Sequence, residues 1–189
     1  MRNSGFELAL PRNFSRQLKG DRFQLIPSIN GEDGEPMEWV RHPRLPIPND
    51  SLIEKVGGGG REGFLRVGFE FLGHLIHKAN LLSLSRVLDV GCGVGRVAYA
   101  LSHYLDPDAT YEGFDVCEKS IDWANREIGG LHPNFAFKRI DLQHDLYNPK
   151  GVVDPLDFQF PYEENSFDLV FLASVFTHMS AIEIRTYFK

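Results

Sequence analysis

Residues 86–96 read Arg86-Val87-Leu88-Asp89-Val90-Gly91-Cys92-Gly93-Val94-Gly95-Arg96. The first five residues are a compact apolar run of strand length, and glycine then recurs at every second position. Glycine suits such a turn because it adopts positive φ and lets a ligand approach bare backbone. A helix that starts directly after the turn presents free N–H groups at an electropositive end. The stretch predicts a strand, a ligand-binding turn and a helix, with a purely structural turn as the alternative.

The glycine spacing differs from that of dinucleotide-binding turns. Glycines at 91, 93 and 95 form G-x-G-x-G, whereas the dinucleotide pattern requires Gly or Ala at position 96, where this chain has Arg96. The preceding strand also carries a carboxylate, Asp89, just inside its end. Both features argue against a nicotinamide dinucleotide as the ligand.

The rest of the chain alternates between strand and helix patterns. A helix starting at Arg61 is predicted by Phe64, Val67, Phe71, Leu75, Ala79 and Leu82, which recur at three- and four-residue steps. Further strands are predicted at 110–115, 135–140 and 167–173, with helices at 94–105, at 118–128 and from the capping-box sequence at Ser180. This order predicts an α/β fold, a Rossmann-like doubly wound parallel sheet with helices on both faces.

Composition divides the chain near residue 60. Six of the eleven prolines fall within the first 50 residues, among Gly, Asn and Asp, which disfavours long helices and central strands. We therefore predict an irregular N-terminal arm over residues 1–60 and an α/β domain over 61–189. The run Gly57–Gly60 ends the arm, either as a flexible joint or as a mobile loop that closes over a ligand.

Charge and composition restrict the partners. The chain has 20 Lys and Arg against 26 Asp and Glu, and no basic run, which argues against a nucleic-acid partner. No segment approaches the roughly 18 apolar residues of a membrane span. Cys92 and Cys117 fit neither a disulfide framework nor a metal cluster. We expect a soluble cytoplasmic protein without a metal site.

A second carboxylate follows the next predicted strand. Asp115 ends that strand, and in a doubly wound sheet this position faces the glycine turn, where an acid can bind both ribose hydroxyls of a nucleoside. An ordinary helix cap before Glu118 is the alternative interpretation.

Three stretches together resemble the class I S-adenosylmethionine-dependent methyltransferases: Asp89-Val90-Gly91-Cys92-Gly93-Val94-Gly95, Gly113-Phe114-Asp115 and Ser166-Phe167-Asp168-Leu169-Val170. The resemblance runs from about residue 61 to 189. It implies S-adenosylmethionine as the cofactor and methyl transfer to an O or N atom of a small-molecule acceptor. Carboxylates at several strand ends agree with a cofactor that carries a sulfonium and an ammonium.

The resemblance also implies roles for individual residues. Asp89 and the turn would hold the methionine part of the cofactor, Asp115 the ribose, and Val116 would pack on the adenine. Asp141 and Leu142 would recognise the adenine, and the carbonyl near Ala173 would receive the amino group. The implied cofactor-binding set is Asp89, Gly91, Cys92, Gly93, Gly95, Asp115, Val116, Asp141, Leu142 and Ala173.

The candidate general base is His178, just beyond the fourth strand. An imidazole there could accept a proton from a hydroxyl or amine acceptor near neutral pH. A place in the cofactor pocket wall and a purely structural role are the alternatives. The long loop after Asp141 either walls an acceptor pocket or is a surface excursion.

The chain departs from the family at its C-terminal side. The family's sheet has seven strands and this chain supplies about four, so the fourth would be an uncovered apolar edge. We therefore expect that Lys189 is an artificial or fragmentary end, or that another chain or a missing C-terminal segment covers that edge. A non-catalytic domain that binds the cofactor, and a NAD-dependent oxidoreductase, remain the alternative functions.

Overall fold

The computed structural model describes residues 22–25, 28–29, 32–33, 37–40 and 45–187. The chain divides into two compact units, Met1–Pro43 and Arg44–Lys189. The described part of the first unit contains the strands β1 (Arg22–Leu25), β2 (Ser28–Ile29), β3 (Glu32–Asp33) and β4 (Met37–Val40). β1 pairs antiparallel with β4, and β2 with β3. The prediction of an irregular arm that ends at residue 60 stays a prediction.

The second unit is built on a parallel sheet, as predicted. Its described strands are β5 (Arg86–Val90), β6 (Thr110–Asp115), β7 (Phe135–Arg139) and β8 (Leu169–Leu172), in the order β7-β6-β5-β8. The chain moves outward from β5 through β6 to β7 and then returns to the other side of β5. Ligands bind where the strand order reverses in this way, outside the carboxyl ends of the strands.

The described helices of this unit are α1 (Asp50–Glu54), α2 (Gly60–Ala79), α3 (Arg96–Leu101), α4 (Glu118–Ala124) and α5 (Ala181–Thr186). α3 starts later than predicted, because Gly95 caps it at φ 80°. α4 continues into one π-helical turn, Asn125–Gly129. The capping box predicted at Ser180 is confirmed, since its side chain accepts from the Glu183 N–H and the Glu183 carboxylate accepts in return. Among these helices none has the length and apolarity needed to cross a membrane.

The buried face of α2 differs from the predicted stripe. Phe64 and Leu75 are buried, but Ala79 is exposed and Leu82 lies beyond the helix with 68% of its surface exposed, so those two assignments were wrong. The face is centred instead on Gly68, where an added Cβ would lie 2.5 Å from the Arg96 carbonyl oxygen. Gly68 therefore lets α2 and α3 approach closely. A pattern of apolar side chains does not reveal this contact, because glycine has no side chain.

Two apolar layers enclose the sheet. On one face α2, α3 and α4 cover Val87 of β5 and Tyr111 of β6. On the other face, Phe114 packs with Phe158 and with residues of the long loop after β7. β8 is the last strand of the described sheet, and its Val170 is 50% exposed. Whether another segment covers that edge stays a prediction.

Candidate functional site

A cavity of about 890 Å³ lies at the carboxyl end of the sheet. This volume is within the usual range for pockets that hold small ligands. The segments after the four strands of the sheet form its wall, and they contribute Gly91, Cys92, Gly93, Asp115, Val116, Cys117, Ile140, Leu142, His144, Ala173, Ser174 and Val175. The cavity therefore lies where the reversal of strand order predicts a ligand.

The glycine turn needs its glycines for two reasons. Gly91, Gly93 and Gly95 have φ of 75°, 57° and 80°. Added Cβ atoms at Gly91 and Gly93 would lie 2.4 Å from Val175 and 2.5 Å from Val56. The turn is thus packed on both sides, and its backbone forms part of the cavity wall.

Asp115 connects the glycine turn to the start of α4. Its Oδ2 accepts from the Gly93 N–H at 2.9 Å, and its Oδ1 accepts from the Cys117 N–H at 2.8 Å. Burial raises the pKa of this carboxyl above its usual value, although the backbone donors oppose that shift. A carboxylate offers about four acceptor positions, so Asp115 keeps acceptor capacity on the cavity side. It accepts from the turn, as predicted, but the N-cap of α4 is Cys117, so the interpretation of Asp115 as the helix cap was wrong.

Asp89 is buried at the end of β5, with 1% of its surface exposed. The Tyr111 hydroxyl donates to its Oδ2 at 2.8 Å, whereas Oδ1 has no hydrogen-bond partner in the described part of the chain. Burial raises the pKa of Asp89 to about 7, and the bond from Tyr111 partly opposes this. Buried carboxylate oxygens normally have partners, so an unpaired oxygen on a residue that borders the cavity is a candidate acceptor for a cationic or donor group.

The third predicted carboxylate does not border the cavity. Asp141 accepts from Asn148 Nδ2 at 2.9 Å and from Arg139 Nη2 at 3.2 Å, while Ile140 and Leu142 line the wall on either side of it. The structure therefore brings Asp89 and Asp115 to one cavity and holds Asp141 beside it through protein partners. Asn148 returns from the following loop, which the sequence pattern did not reveal.

The other predicted site residues fall into three groups. Gly91, Cys92, Gly93, Val116, Leu142 and Ala173 line the cavity. Gly95 lies behind the turn, where an added Cβ would be 2.7 Å from Ile128 Cδ1. His178 belongs to the 3-10 turn Phe176–His178, but its side chain is outside the described residues, so its role stays a prediction.

The sequence analysis missed several cavity residues, of which His144 and Arg96 make hydrogen bonds through their side chains. The Nδ1 atom of His144 accepts from the Leu146 N–H at 3.2 Å and the Tyr147 N–H at 3.3 Å, which places the ring proton of the neutral form on Nε2. Arg96 donates from Nη1 to the Val56 carbonyl and so joins the start of α3 to the segment before the glycine run. Only its position directly after the glycine turn could have identified Arg96 as a wall residue.

The charged side chains of the wall are mostly acidic. The carboxylates are those of Glu54, Asp89, Asp115, Asp145 and Glu183, and the cations are Lys55 and Arg96. Such a wall favours a ligand with positive charge. In the described residues, His, Cys, Asp and Glu form no group of three or more placed to hold a metal ion.

Residues 87–189 match a family model described as "Methyltransferase domain". A sterol 24-C-methyltransferase of Candida albicans is 32% identical over 109 residues, which cover 58% of this chain and 25% of the relative. The chain thus spans about a quarter of the length of that curated relative.

Solved structures with a similar fold include a SAM-dependent methyltransferase from Aquifex aeolicus, at 19% identity and a TM-score of 0.49, covering 72% of this chain and 63% of that chain. The PH0226 protein from Pyrococcus horikoshii is 23% identical with a TM-score of 0.48, covering 69% of this chain and 51% of that chain.

Proposed function

The chain belongs to the class I S-adenosylmethionine-dependent methyltransferase family, and we propose that it binds S-adenosylmethionine in this cavity and serves methyl transfer to an O or N atom of a small-molecule acceptor. One observation carries the proposal: the glycine turn, Asp89 and Asp115 meet at one cavity at the carboxyl end of β5 and β6. Each element was predicted from a separate part of the sequence, and their convergence is what a nucleoside with a charged tail requires.

The chemistry of the wall fits this cofactor. The unpaired Oδ1 of Asp89 is an acceptor for the ammonium group, and the spare acceptor positions of Asp115 suit the two ribose hydroxyls. Val116 and Leu142 supply apolar surface for the adenine ring. Ala173 lies at the opposite rim, where its carbonyl is a further acceptor for the ammonium.

The charge of the wall supports the same choice. When bound, S-adenosylmethionine supplies a methyl group on a sulfonium that leaves as a neutral thioether. Buried Asp89 and half-buried Asp115 favour that positive charge at the binding stage, since carboxylates shielded from solvent attract cations more strongly than in water. A pyrophosphate would meet repulsion from the same two groups, which argues against a dinucleotide.

The chain's own residues contribute to catalysis mainly by orientation. Fixing a nucleophile in line with the reacting carbon can lower the activation barrier by about 7–11 kcal/mol. The glycine turn is closely packed, so it can hold the cofactor in a fixed position. His178, after β8, is proposed as the base when the acceptor is a hydroxyl or a protonated amine. The loop that contains Tyr147 and Pro155 borders the cavity and is proposed as the acceptor wall.

Calorimetric titration of the purified chain with S-adenosylmethionine, S-adenosylhomocysteine and NAD tests the cofactor. We expect both adenosyl ligands to bind at one site per chain and NAD to give no heat. Binding of NAD alone would overturn the proposal in favour of an oxidoreductase. Methyl transfer to panels of small alcohols and amines then separates an enzyme from a domain that only binds the cofactor.

A further inference from the structure

A buried tyrosine is hydrogen-bonded to the carboxylate that the cofactor is proposed to use. Tyr111 is 0% exposed and Asp89 1%, and the Tyr111 hydroxyl donates to Asp89 Oδ2 at 2.8 Å. This bond leaves Oδ1 as the oxygen that no described protein group satisfies, on a residue that borders the cavity. The tyrosine itself does not line the cavity wall.

The Tyr111 hydroxyl can reach Asp89 only because the residue between them, Gly113, has no side chain. Gly113 is the register partner of Asp89 in the β5–β6 pair, and an added Cβ there would lie 2.8 Å from the Tyr111 hydroxyl oxygen. The ring is fixed from the β7 side, where Phe135 stacks on it at 4.8 Å and Phe137 lies at 5.4 Å between centroids. The hydroxyl is therefore held in one direction, across Gly113 and toward Asp89.

We propose that Tyr111 is a positioning residue for the cofactor: by donating to Oδ2 of Asp89 it holds that carboxylate in place and leaves Oδ1 as the acceptor for the ammonium group of S-adenosylmethionine. The inference rests on the proposed function, because it assigns Tyr111 a role in the same site. The bond between an O–H donor and a carboxylate favours the charged form, which is the form that attracts an ammonium.

The groups around Asp89 define how it titrates. Tyr111 and Asp115 face it from β6, Arg96 from α3 and Cys92 from the glycine turn, while its partner on β8 is the apolar Phe171. Burial has the largest effect and raises the pKa of Asp89 to about 7. Tyr111 and Arg96 lower this pKa, whereas Asp115 raises it.

Binding of the cofactor should therefore release a proton. Near pH 6 the Asp89 carboxyl is mostly protonated in the free protein, and an ammonium that binds to Oδ1 displaces that proton to the buffer. Affinity should then weaken by about tenfold for each pH unit below 7. The comparison is confined to pH 5.5–7, because the α-amino group of the ligand itself titrates near pH ~8.

The experiment is calorimetry of the intact chain in two buffers of different ionisation enthalpy, from pH 5.5 to 7. The ligands are S-adenosylmethionine, S-adenosylhomocysteine and 5′-methylthioadenosine, which lacks the amino-acid part. We expect close to one proton released per site at pH 6 for the first two ligands and none for the third. Equal proton release for all three would overturn the assignment of Asp89 to the ammonium.

Tyr111→Phe isolates the hydroxyl, since it keeps the ring between Phe135 and Phe137. We expect S-adenosylmethionine to bind about fivefold more weakly at pH 7, as a rise of about one unit in the pKa of Asp89 requires, with little change for 5′-methylthioadenosine. Tyr104→Phe is the matched control, because it removes a 3.0 Å hydroxyl bond to the Leu81 carbonyl at a residue that does not line the cavity.

The outcomes separate the two proposals. Loss of affinity in Tyr111→Phe that is the same at every pH and for all ligands would mean a purely structural tyrosine and would overturn this inference alone. Failure of the unaltered chain to bind any of the three ligands would overturn the proposed function and the inference with it. Thermal melts of both variants confirm that the folded state is compared.

Discussion

The carboxylates at the two ends of β5 differ in their exposure and in their hydrogen-bond partners. At its amino end, Arg86 and Asp168 form a two-pronged ion pair, with Nη2–Oδ1 at 2.8 Å and Nε–Oδ2 at 3.1 Å, and both side chains are about half exposed. At its carboxyl end, Asp89 is buried and has one oxygen satisfied by Tyr111 and one unpaired. The protein satisfies the first carboxylate completely and leaves the second incomplete.

The pKa values of the two carboxyls follow from this difference. Hydrogen bonds from Arg86 lower the pKa of Asp168 to about 2, whereas burial raises that of Asp89 to about 7. The protein compensates the charge on Asp168 through Arg86, whereas we propose that a ligand completes the compensation of the charge on Asp89. In this proposal, incomplete satisfaction on a cavity residue distinguishes the binding carboxylate from the structural one.

The largest expected effect is at Asp115, the second carboxylate of the carboxyl end. Asp115→Ala removes the acceptors proposed for the ribose hydroxyls and also releases the Gly93 N–H, so we expect S-adenosylmethionine to bind at least about 100-fold more weakly, as measured by calorimetry. Asp122→Ala, an exposed acidic residue on α4, is the charge-matched control. Unchanged affinity in Asp115→Ala would refute the ribose contact.

Asp89→Asn should stabilise the ligand-free protein. The folded-state pKa of Asp89 is raised above the unfolded value, so the folded state binds more protons between about pH 4 and 7 and stability falls as pH rises through that window. A neutral side chain avoids this loss, and we expect the free energy of unfolding at pH 8 to increase by about 4 kcal/mol, with no gain at pH 4. Urea denaturation at both pH values measures it, and an equal change at both would contradict the prediction.

The smallest effect is expected at the amino end. Asp168→Asn should leave S-adenosylmethionine affinity unchanged and lower stability only slightly, because the pair with Arg86 is exposed to solvent. Its folded-state pKa is lowered, so its contribution is present above about pH 4 and is lost as pH falls toward 2. Urea denaturation at pH 7 and pH 2.5 tests this, and a stability difference that is undiminished at pH 2.5 would argue against the ion pair as its cause.

Most of the fold follows from local sequence patterns. The apolar run at β5, the capping box at Ser180 and the glycine turn before α3 were each predicted from residues close together in the chain. The packing face of α2 was not, because Gly68 acts through its lack of a side chain against the Arg96 backbone. Hydrophobic periodicity counts apolar side chains and overlooks contacts that depend on a missing one.

The site was predictable to the extent that strand ends define it. Parallel strands place their carboxyl ends at one edge, which is why Asp89 and Asp115 could be predicted to share a cavity. Asp141 also follows a strand, yet Asn148 from the next loop binds it beside the wall. His144 was missed because its position depends on the same loop, whose path has no periodic signal.

The sequence alone determined the order of strands and helices, the glycine turn and the presence of acids at strand ends, because these depend on residues near one another in the chain. Only the tertiary structure decided which acid is buried and unpaired, since the Tyr111 hydroxyl reaches Asp89 from a neighbouring strand across Gly113. The burial of a carboxylate and its hydrogen-bond partners depend on segments that are far apart in the sequence. They determine whether the carboxylate is satisfied by the protein or keeps an acceptor for a ligand.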